Sequence, residues 1–462
     1  MSHTIPPRET KTGLLDRALC LFAPVRAGEG RTVLLMALNI FLLMSAYYII
    51  KPVREALILA KWGPEAKIYA SAGQAVLLLG VVPFYSRLAG LMNSRRLITT
   101  VLVFFAGCLV VFYGLAQLQV ELGIAFYLWV GIFNVMVVAQ FWSFANDFYT
   151  IEQGKRLFAL VGFGMSAGAV LGSFITGLFI KPLGMYQLML LSAVLLLLSL
   201  GLTLLVAGRR QNVELPGEPP VAAVADEPLS GRGGFALVMA NRYLLLIALM
   251  MILANLVNTT GEYVLGALVT ADSQAAVPEV IRTTEMTEAQ YAAAVIARDA
   301  EVGVAIGGFY AGFYSIVNLA GLLAQLFLVA RLVGWIGVRH ALLVLPLLAT
   351  GGYLLMALFP VLGAARWAKT SENATDYSLQ NTVRNMLFLP TTRDEKYKAK
   401  QAIDTFFVRM GDVMAALLVL GGTTVIHLAP TGFALVNVGL GLLWVLLAVA
   451  IGRRYHRLSA SS

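Results

Sequence analysis

Apolar runs of about 18 residues or more recur along this chain, and each is long enough to cross about 30 Å of hydrocarbon. No water reaches the backbone at that depth, so a spanning segment must be a helix or a strand of a closed barrel. Barrel strands are shorter and alternate apolar with polar residues, which these runs do not. The chain is therefore expected to be an all-α membrane protein of about 12 transmembrane helices. Spans are placed near 32–50, 69–90, 97–118, 123–145, 157–181, 186–207, 243–268, 303–330, 338–361, 364–389, 402–427 and 432–451. Of 462 residues only 13% are charged, against about 25% in soluble domains.

Residues 208–234 are rich in Pro, Gly and acidic side chains and have no hydrophobic period, as a flexible linker would. Six spans precede them and six follow. The expected parts are an N-terminal segment 1–31, a six-helix bundle 32–207, a linker 208–242, a second six-helix bundle 243–451 and a tail 452–462. This plan resembles that of parallel-repeat, major-facilitator-like proteins. Two internal correspondences support a duplication. Arg87 to Arg96, between spans two and three, pairs with Arg331 to Arg339, between spans eight and nine. Thr150 to Arg156 pairs with Thr392 to Lys398 at the exits of spans four and ten. Gly164, Gly168 and Gly172 in span five, with Gly411 and Ala415 in span eleven, mark close helix approach inside a bundle. The outer loop 269–302 carries the capping-box pattern Thr287 to Gln290 and is expected to hold a surface helix.

Basic residues set the orientation. Arg26, Arg31, Arg95, Arg96, Lys155, Arg156, Lys396, Lys398, Lys400, Arg453 and Arg454 fall on one side if both termini and the linker are cytoplasmic, in the inner (plasma) membrane of a cell. The net charge of +9 is then a topology signal, and no soluble basic face offers itself to nucleic acid. Leu14 to Phe22 is amphipathic and suits the inner membrane surface. Cys20, Cys108 and four scattered histidines support neither a disulfide nor a metal site, and no cofactor is expected.

A charge at mid-membrane costs roughly 2.5–3.5 kcal/mol, so those within spans are informative. Span one ends with Tyr47, Tyr48, Lys51, Pro52, Arg54 and Glu55 before continuing to Leu59. Helical spacing puts Tyr47, Lys51 and Arg54 on one face, lets Lys51 reach Glu55, and lets Pro52 kink the helix. The face reads either as a cationic wall for an anionic solute or as a snorkelling interfacial cluster. In span ten, Lys369, Glu372, Asn373, Asp376, Gln380 and Arg384 fall within about 120° of arc on an ideal helix. Such a helix should be enclosed by protein and line a polar cavity. Glu262 lies in span seven, Asp404, Arg409 and Asp412 in span eleven, and Asn146 and Asp147 at the end of span four. Any pair of these could instead lock helices together.

Three segments resemble the nucleotide (ATP/ADP) translocases of plastids and intracellular bacteria. Asp376-Tyr377-Ser378-Leu379 through Arg384-Asn385-Met386 and Pro390, then Lys398 to Asp404, is similar to that family's K-Y-S-L-x-x-x-x-K-E-M-x-x-x-P and K-x-K-A-x-I-D. Phe141-Trp142-Ser143-Phe144-Ala145-Asn146-Asp147 resembles its F-W-G-F-A-N-Q, and Tyr48 to Leu57 its Y-T-I-L-R-D-T-K-D-x-L. The likeness runs in order from about residue 30 to 450. It implies a facilitator-like fold and nucleotide exchange. Arg54 stands at the family's substrate-binding lysine, Lys51 at its arginine, and Arg384 at the lysine of K-E-M. Tyr127, Trp129 and Val130 occupy the neighbourhood of its span-four glutamate, and Asn258 that of its span-seven glutamate, one turn before Glu262.

The expectation is thus a monomeric secondary transporter exchanging ATP, ADP or a related phosphorylated anion across the lipid bilayer. Its substrate-binding candidates are Tyr47, Tyr48, Lys51, Arg54, Trp142, Asn146, Glu262, Asp376 and Arg384. Alternatives are a facilitator-type carrier of another organic anion or a lipid, and a non-transporting assembly or signalling protein. No G-x-x-x-x-G-K-[ST] or His/Cys cluster points to an enzyme.

Overall fold

The architecture follows from where its long helices can turn. The computed structural model describes residues 16, 19–20, 24–26, 28–92, 94–211, 233–284, 286–392 and 395–461. Most of the linker and most of the amphipathic Leu14 to Phe22 piece lie outside the described residues. The first half runs α1 (Gly30–Leu91), α2 (Ser94–Gln117), α3 (Gly123–Phe148), α4 (Ile151–Leu183) and α5 (Met185–Gln211). The second runs α6 (Gly234–Ala240), α7 (Arg242–Ala276), α8 (Glu288–Leu323), α9 (Val329–Leu358), α10 (Leu362–Thr375), α11 (Asn381–Met386), α12 (Lys400–Ala402), α13 (Val408–Thr424) and α14 (Pro430–Ser461). Among the described residues four π-helical turns interrupt the second half, at Ala324–Leu328, Asp376–Gln380, Glu395–Ala399 and Ile403–Phe407.

Three helix-to-helix junctions each turn on one glycine. Gly63 (φ 77°, ψ 177°), Gly184 (φ 84°, ψ 165°) and Gly337 (φ 72°, ψ 165°) occupy a backbone region that is essentially closed to other residues. At Gly63 the reversal is plain from Lys67, whose Nζ lies 2.9 Å from Glu55. Along an unbroken helix the two would stand about 18 Å apart. Among the described residues eight helices are long and apolar enough to cross a membrane, and two of these, Gly30–Tyr85 and Glu288–Leu358, contain such a break and are long enough for two passes each. Residues 362–386 and 395–424 complete twelve passes, the former too polar and the latter too interrupted to register by hydropathy.

Several expected loops are shorter than the sequence suggested. The basic stretch at 87–96 is helical except around Met92, and that at 331–339 except at Gly337. Helices run past the hydrocarbon, so their arginines can reach the headgroup region. The capping box at Thr287 forms, with the Gln290 N–H on the Thr287 hydroxyl at 3.2 Å. It does not start a separate surface helix: α8 runs unbroken from there into pass eight. The Thr150/Thr392 correspondence is also a pair of caps. Gln153 N–H donates to the Thr150 hydroxyl at 3.3 Å, and the Thr392 N–H donates to Glu395 at 2.9 Å.

Within the first half, passes one and five touch backbone to backbone. A Cβ added at Gly164, Gly168 or Gly172 would fall 2.4, 2.3 and 2.4 Å from the carbonyl oxygens of Ala37, Phe41 and Ser45. The spaced glycines thus serve packing inside one bundle.

Candidate functional site

Pass one carries its charges inside the membrane. Helical dihedrals hold through Pro52 as far as Gly63, so Lys51, Arg54 and Glu55 sit within the helix rather than at its end. The expected Lys51–Glu55 pair does not form. Glu55, fully buried, instead takes its neighbour Arg54 and, on its other oxygen, Lys67 from pass two. Reversal at a single glycine brings Lys67 back to that depth.

From Glu55 a ladder of alternating charge crosses between the halves. Lys67 reaches Glu262 of pass seven at 3.3 Å. Glu262 lies 3.8 Å from Lys369 of pass ten, which holds Glu372 at 3.1 Å. The order is Arg54, Glu55, Lys67, Glu262, Lys369, Glu372: three cations and three carboxylates, each beside its opposite. None of these side chains is more than 18% exposed. Isolated, such buried charges would be very costly; alternation with hydrogen bonds makes the row tolerable. Asn258 Oδ1 accepts from Lys369 at 2.9 Å, Tyr353 donates to Glu372 at 2.8 Å, and Asn373 donates to Glu262 at 3.4 Å.

The ladder borders a cavity of about 230 Å³ between the halves. A second pair, Arg409 and Asp412 of pass eleven, also lines it at 3.2 Å, with Asn255 and Thr259 donating to Asp412. Two lining charges remain without an ion pair or hydrogen bond among the described residues. Lys51 Nζ lies over the Tyr314 ring at 3.9 Å, with the Tyr48 and Tyr47 rings at 5.0 and 5.9 Å. Aromatic faces attract a cation without neutralising it. Asp376 begins the π turn of pass ten, and its neighbour Tyr377 lines the cavity beside it.

The cavity is closed at one end. Towards the Gly63 end the halves meet through Lys67–Glu262 and through Tyr263, which donates to Glu65 at 3.0 Å. Gly303 packs there on Met185 and Ala60. Towards the Tyr149 end the lining opens, with Tyr377 43% and the Arg409 side chain 35% exposed.

Of the residues singled out in the sequence, Lys51, Arg54, Glu262 and Asp376 converge on this cavity. Tyr47 and Tyr48 stand behind Lys51, buried. Three lie elsewhere. Trp142 packs edge-on against Phe141 and Phe158, and Asn146 is exposed one turn further on. Arg384 lies nearer the Tyr149 end, 3.9 Å from Asp404 and bonded to Asn381. In pass ten Lys369, Glu372 and Asn373 are buried, while Trp367 and Ser371 of the same helix are exposed, so the expected enclosure holds for one face and not for the whole helix. Sequence reasoning missed Lys67 and Tyr314, and named Tyr127 only as an occupant of the place where the resembled family has its span-four glutamate. Tyr127 lies under the Arg54 guanidinium at 4.4 Å. Their only signal was polarity inside apolar runs.

No protein-family model and no curated protein sequence matches this chain. Solved structures do. The nucleoside transporter NupG superposes with a TM-score of 0.58 at 13% identity, over 91% of this chain and 98% of that one. The POT family transporter PepTSo gives 0.62 at 10% identity, over 92% and 98%. A bacterial homologue of the human lysosomal transporter Spinster, inward-facing and unoccupied, gives 0.56 at 13%, over 93% and 98%. The chain shares the fold of these solved structures, in line with the facilitator-like plan expected from its sequence.

Proposed function

We propose that this protein is an alternating-access secondary transporter of a small organic solute whose single anionic group is received by Lys51. The observation that carries this reading is the cavity between the halves, lined from both, in which Lys51 is the one cation without a carboxylate partner among the described residues. A state open at the Gly63 end requires Lys67–Glu262 and Tyr263–Glu65 to part, and a solute held by both halves can compensate for what is lost. The structural neighbours named as transporters of nucleosides and peptides support the class of process, not the solute. The basic-residue bias favours cytoplasmic termini, and with that orientation the cavity as seen opens inward.

Nucleotide exchange is the second reading, favoured by the resemblance around Asp376 to Met386 and at Tyr48 to Leu57. The charge pattern weighs against it. Arg54, Lys67 and Arg409 are each already matched by a carboxylate, and a triphosphate would meet one free ammonium. Thermal-shift measurement on purified protein with ADP, ATP, sugar phosphates, simple carboxylates and lipids tests both, through ligand-linked stabilisation. The expected result is stabilisation by a singly charged anion, weakened about 10- to 100-fold in Lys51→Gln. Stabilisation by ATP and ADP that survives Lys51→Gln would overturn the first reading in favour of the second. Stabilisation by none would favour a non-transporting protein.

A further inference from the structure

We infer that the transported solute is amphoteric, offering an anionic group to Lys51 and a cationic group, such as an ammonium, to Asp376. This rests on the reading above and extends it from one charge to two.

The inference comes from a census of the cavity wall. Eight charged side chains line it: Lys51, Arg54, Glu55, Lys67, Glu262, Asp376, Arg409 and Asp412. Six are matched at 4 Å or less, in the ladder or in the Arg409–Asp412 pair. The two left over have opposite sign and come from opposite halves, Lys51 from pass one and Asp376 from pass ten. A group already paired in a partly desolvated site has little to gain from a solute charge, whereas an unpaired one gains a charge-assisted bond. A purely anionic solute would satisfy Lys51 and place its charge in the same small cavity as a carboxylate that has no ion-pair partner within 4 Å, at an electrostatic cost. An amphoteric solute matches both and leaves the occupied cavity neutral. Asn258, Thr259, Asn373 and Tyr377 also line the cavity and offer neutral hydrogen-bonding groups for the body of the molecule. One solute tied to Lys51 and Asp376 would also link the halves that must move relative to each other.

The test uses the full-length wild-type protein and chemically blocked probes. β-Alanine, γ-aminobutyrate, δ-aminovalerate, ε-aminocaproate and dialanine are titrated by thermal shift, each beside its N-acetyl derivative and its methyl ester. The expected result is that at least one parent compound binds, and that either block weakens it about 10- to 100-fold. Asp376→Asn should weaken the parent by a similar factor yet leave the N-acetyl form unaffected. Lys51→Gln should do the same for the methyl ester. An N-acetyl form that binds wild type as well as its parent, or binding confined to simple monoanions, would overturn the amphoteric inference while the anion site at Lys51 stood. A methyl ester that binds as well as its parent would remove the anion site too. Because the decisive comparisons use wild-type protein, misfolding of a variant cannot mask the answer.

Discussion

The two halves share a plan but differ in how they are held together. All four π turns among the described residues lie in the second half. The first half brings pass five onto pass one through three glycines set against carbonyl oxygens. The equivalent crossing of passes seven and eleven has only Gly411 so placed, 2.7 Å from the Ile252 oxygen for an added Cβ, and relies on polar groups instead. There Asn255 donates to the Val408 carbonyl at 2.8 Å and to Asp412 at 2.9 Å. Backbone contact has no rotamers to relax, whereas a polar side chain can exchange partners. The first half is built as a frame, and the second as the part that can adapt. π turns in helices often mark functional sites, and the one at Asp376–Gln380 sets two adjacent residues, Asp376 and Tyr377, on the cavity wall.

The contrast is most exposed to test in the charge ladder. Glu55, in the first half, serves both Arg54 and Lys67. Glu372, in the second, serves Lys369, which keeps Asn258 and the more distant Glu262 if Glu372 is neutralised. Breaking a buried pair by removing one partner costs about 3–5 kcal/mol. Glu55→Gln should approach that figure, and Glu372→Gln should fall clearly below it. Apparent melting temperatures of the purified variants measure the order. Equal losses would mean that the ladder is shared evenly and the frame-and-adapter distinction does not extend to it.

How much of this could be read from sequence depended on whether a helix kept its ideal phase and length. The apolar passes and the glycine packing were legible because apolar runs and four-residue spacing survive small errors in boundary. Lys67 was not, since span two was placed from residue 69 and a long connection was assumed before it. The chain reverses at Gly63 alone, which draws Lys67 into the membrane opposite Glu55. Arg384 failed for a different reason. Its place on the polar arc of pass ten assumed 100° per residue throughout, and the π turn at 376–380 shifts the phase of everything after it by up to about one residue. Lys369, Glu372 and Asn373, before the turn, lie where the arc put them. Trp142 came from family likeness and Asn146 from that likeness and its place at the end of span four, and no geometric argument tied either to a cavity.

The glycine crossings give a smaller but cleaner comparison. Gly168→Ala puts a methyl 2.3 Å from a backbone oxygen, which can yield only if pass one moves away from pass five. Overpacking of this kind costs about 1–3 kcal/mol. Gly411→Ala meets the Ile252 oxygen at 2.7 Å and the Asn255 Cβ at 2.8 Å, and a shift of a few tenths of an ångström relieves more of it. The first variant should lose more thermal stability than the second. The reverse order would assign the frame role to the second half.

The smallest expected effect lies at the Tyr149 end, where each half ties its first pass to its fifth. In the first half the tie is ionic: Arg156 donates two bonds to Glu29, each 2.9 Å. In the second, Asn241 donates to Glu395 at 2.7 Å. Burial alone would raise the Glu29 carboxyl, but hydrogen bonds from Arg156, the Arg26 N–H and Gln153 outweigh it and hold the group below its ordinary range. A carboxyl depressed in the folded state contributes stability that is complete above its unfolded value of about 4.3 and disappears as pH falls through the lower folded value. The site is partly exposed, so the contribution should be no more than about 1 kcal/mol. Glu29→Gln should therefore melt slightly below wild type from pH 7 down to about 5, and the two curves should converge as the medium approaches pH 3. Raising the salt concentration at pH 7 should narrow the gap as well, because a partly exposed ion pair is screened. A gap that stays constant down to pH 3 would show that the substituted amide disturbs packing rather than removing a charge, and the ionic tie would cease to distinguish the first half from the second.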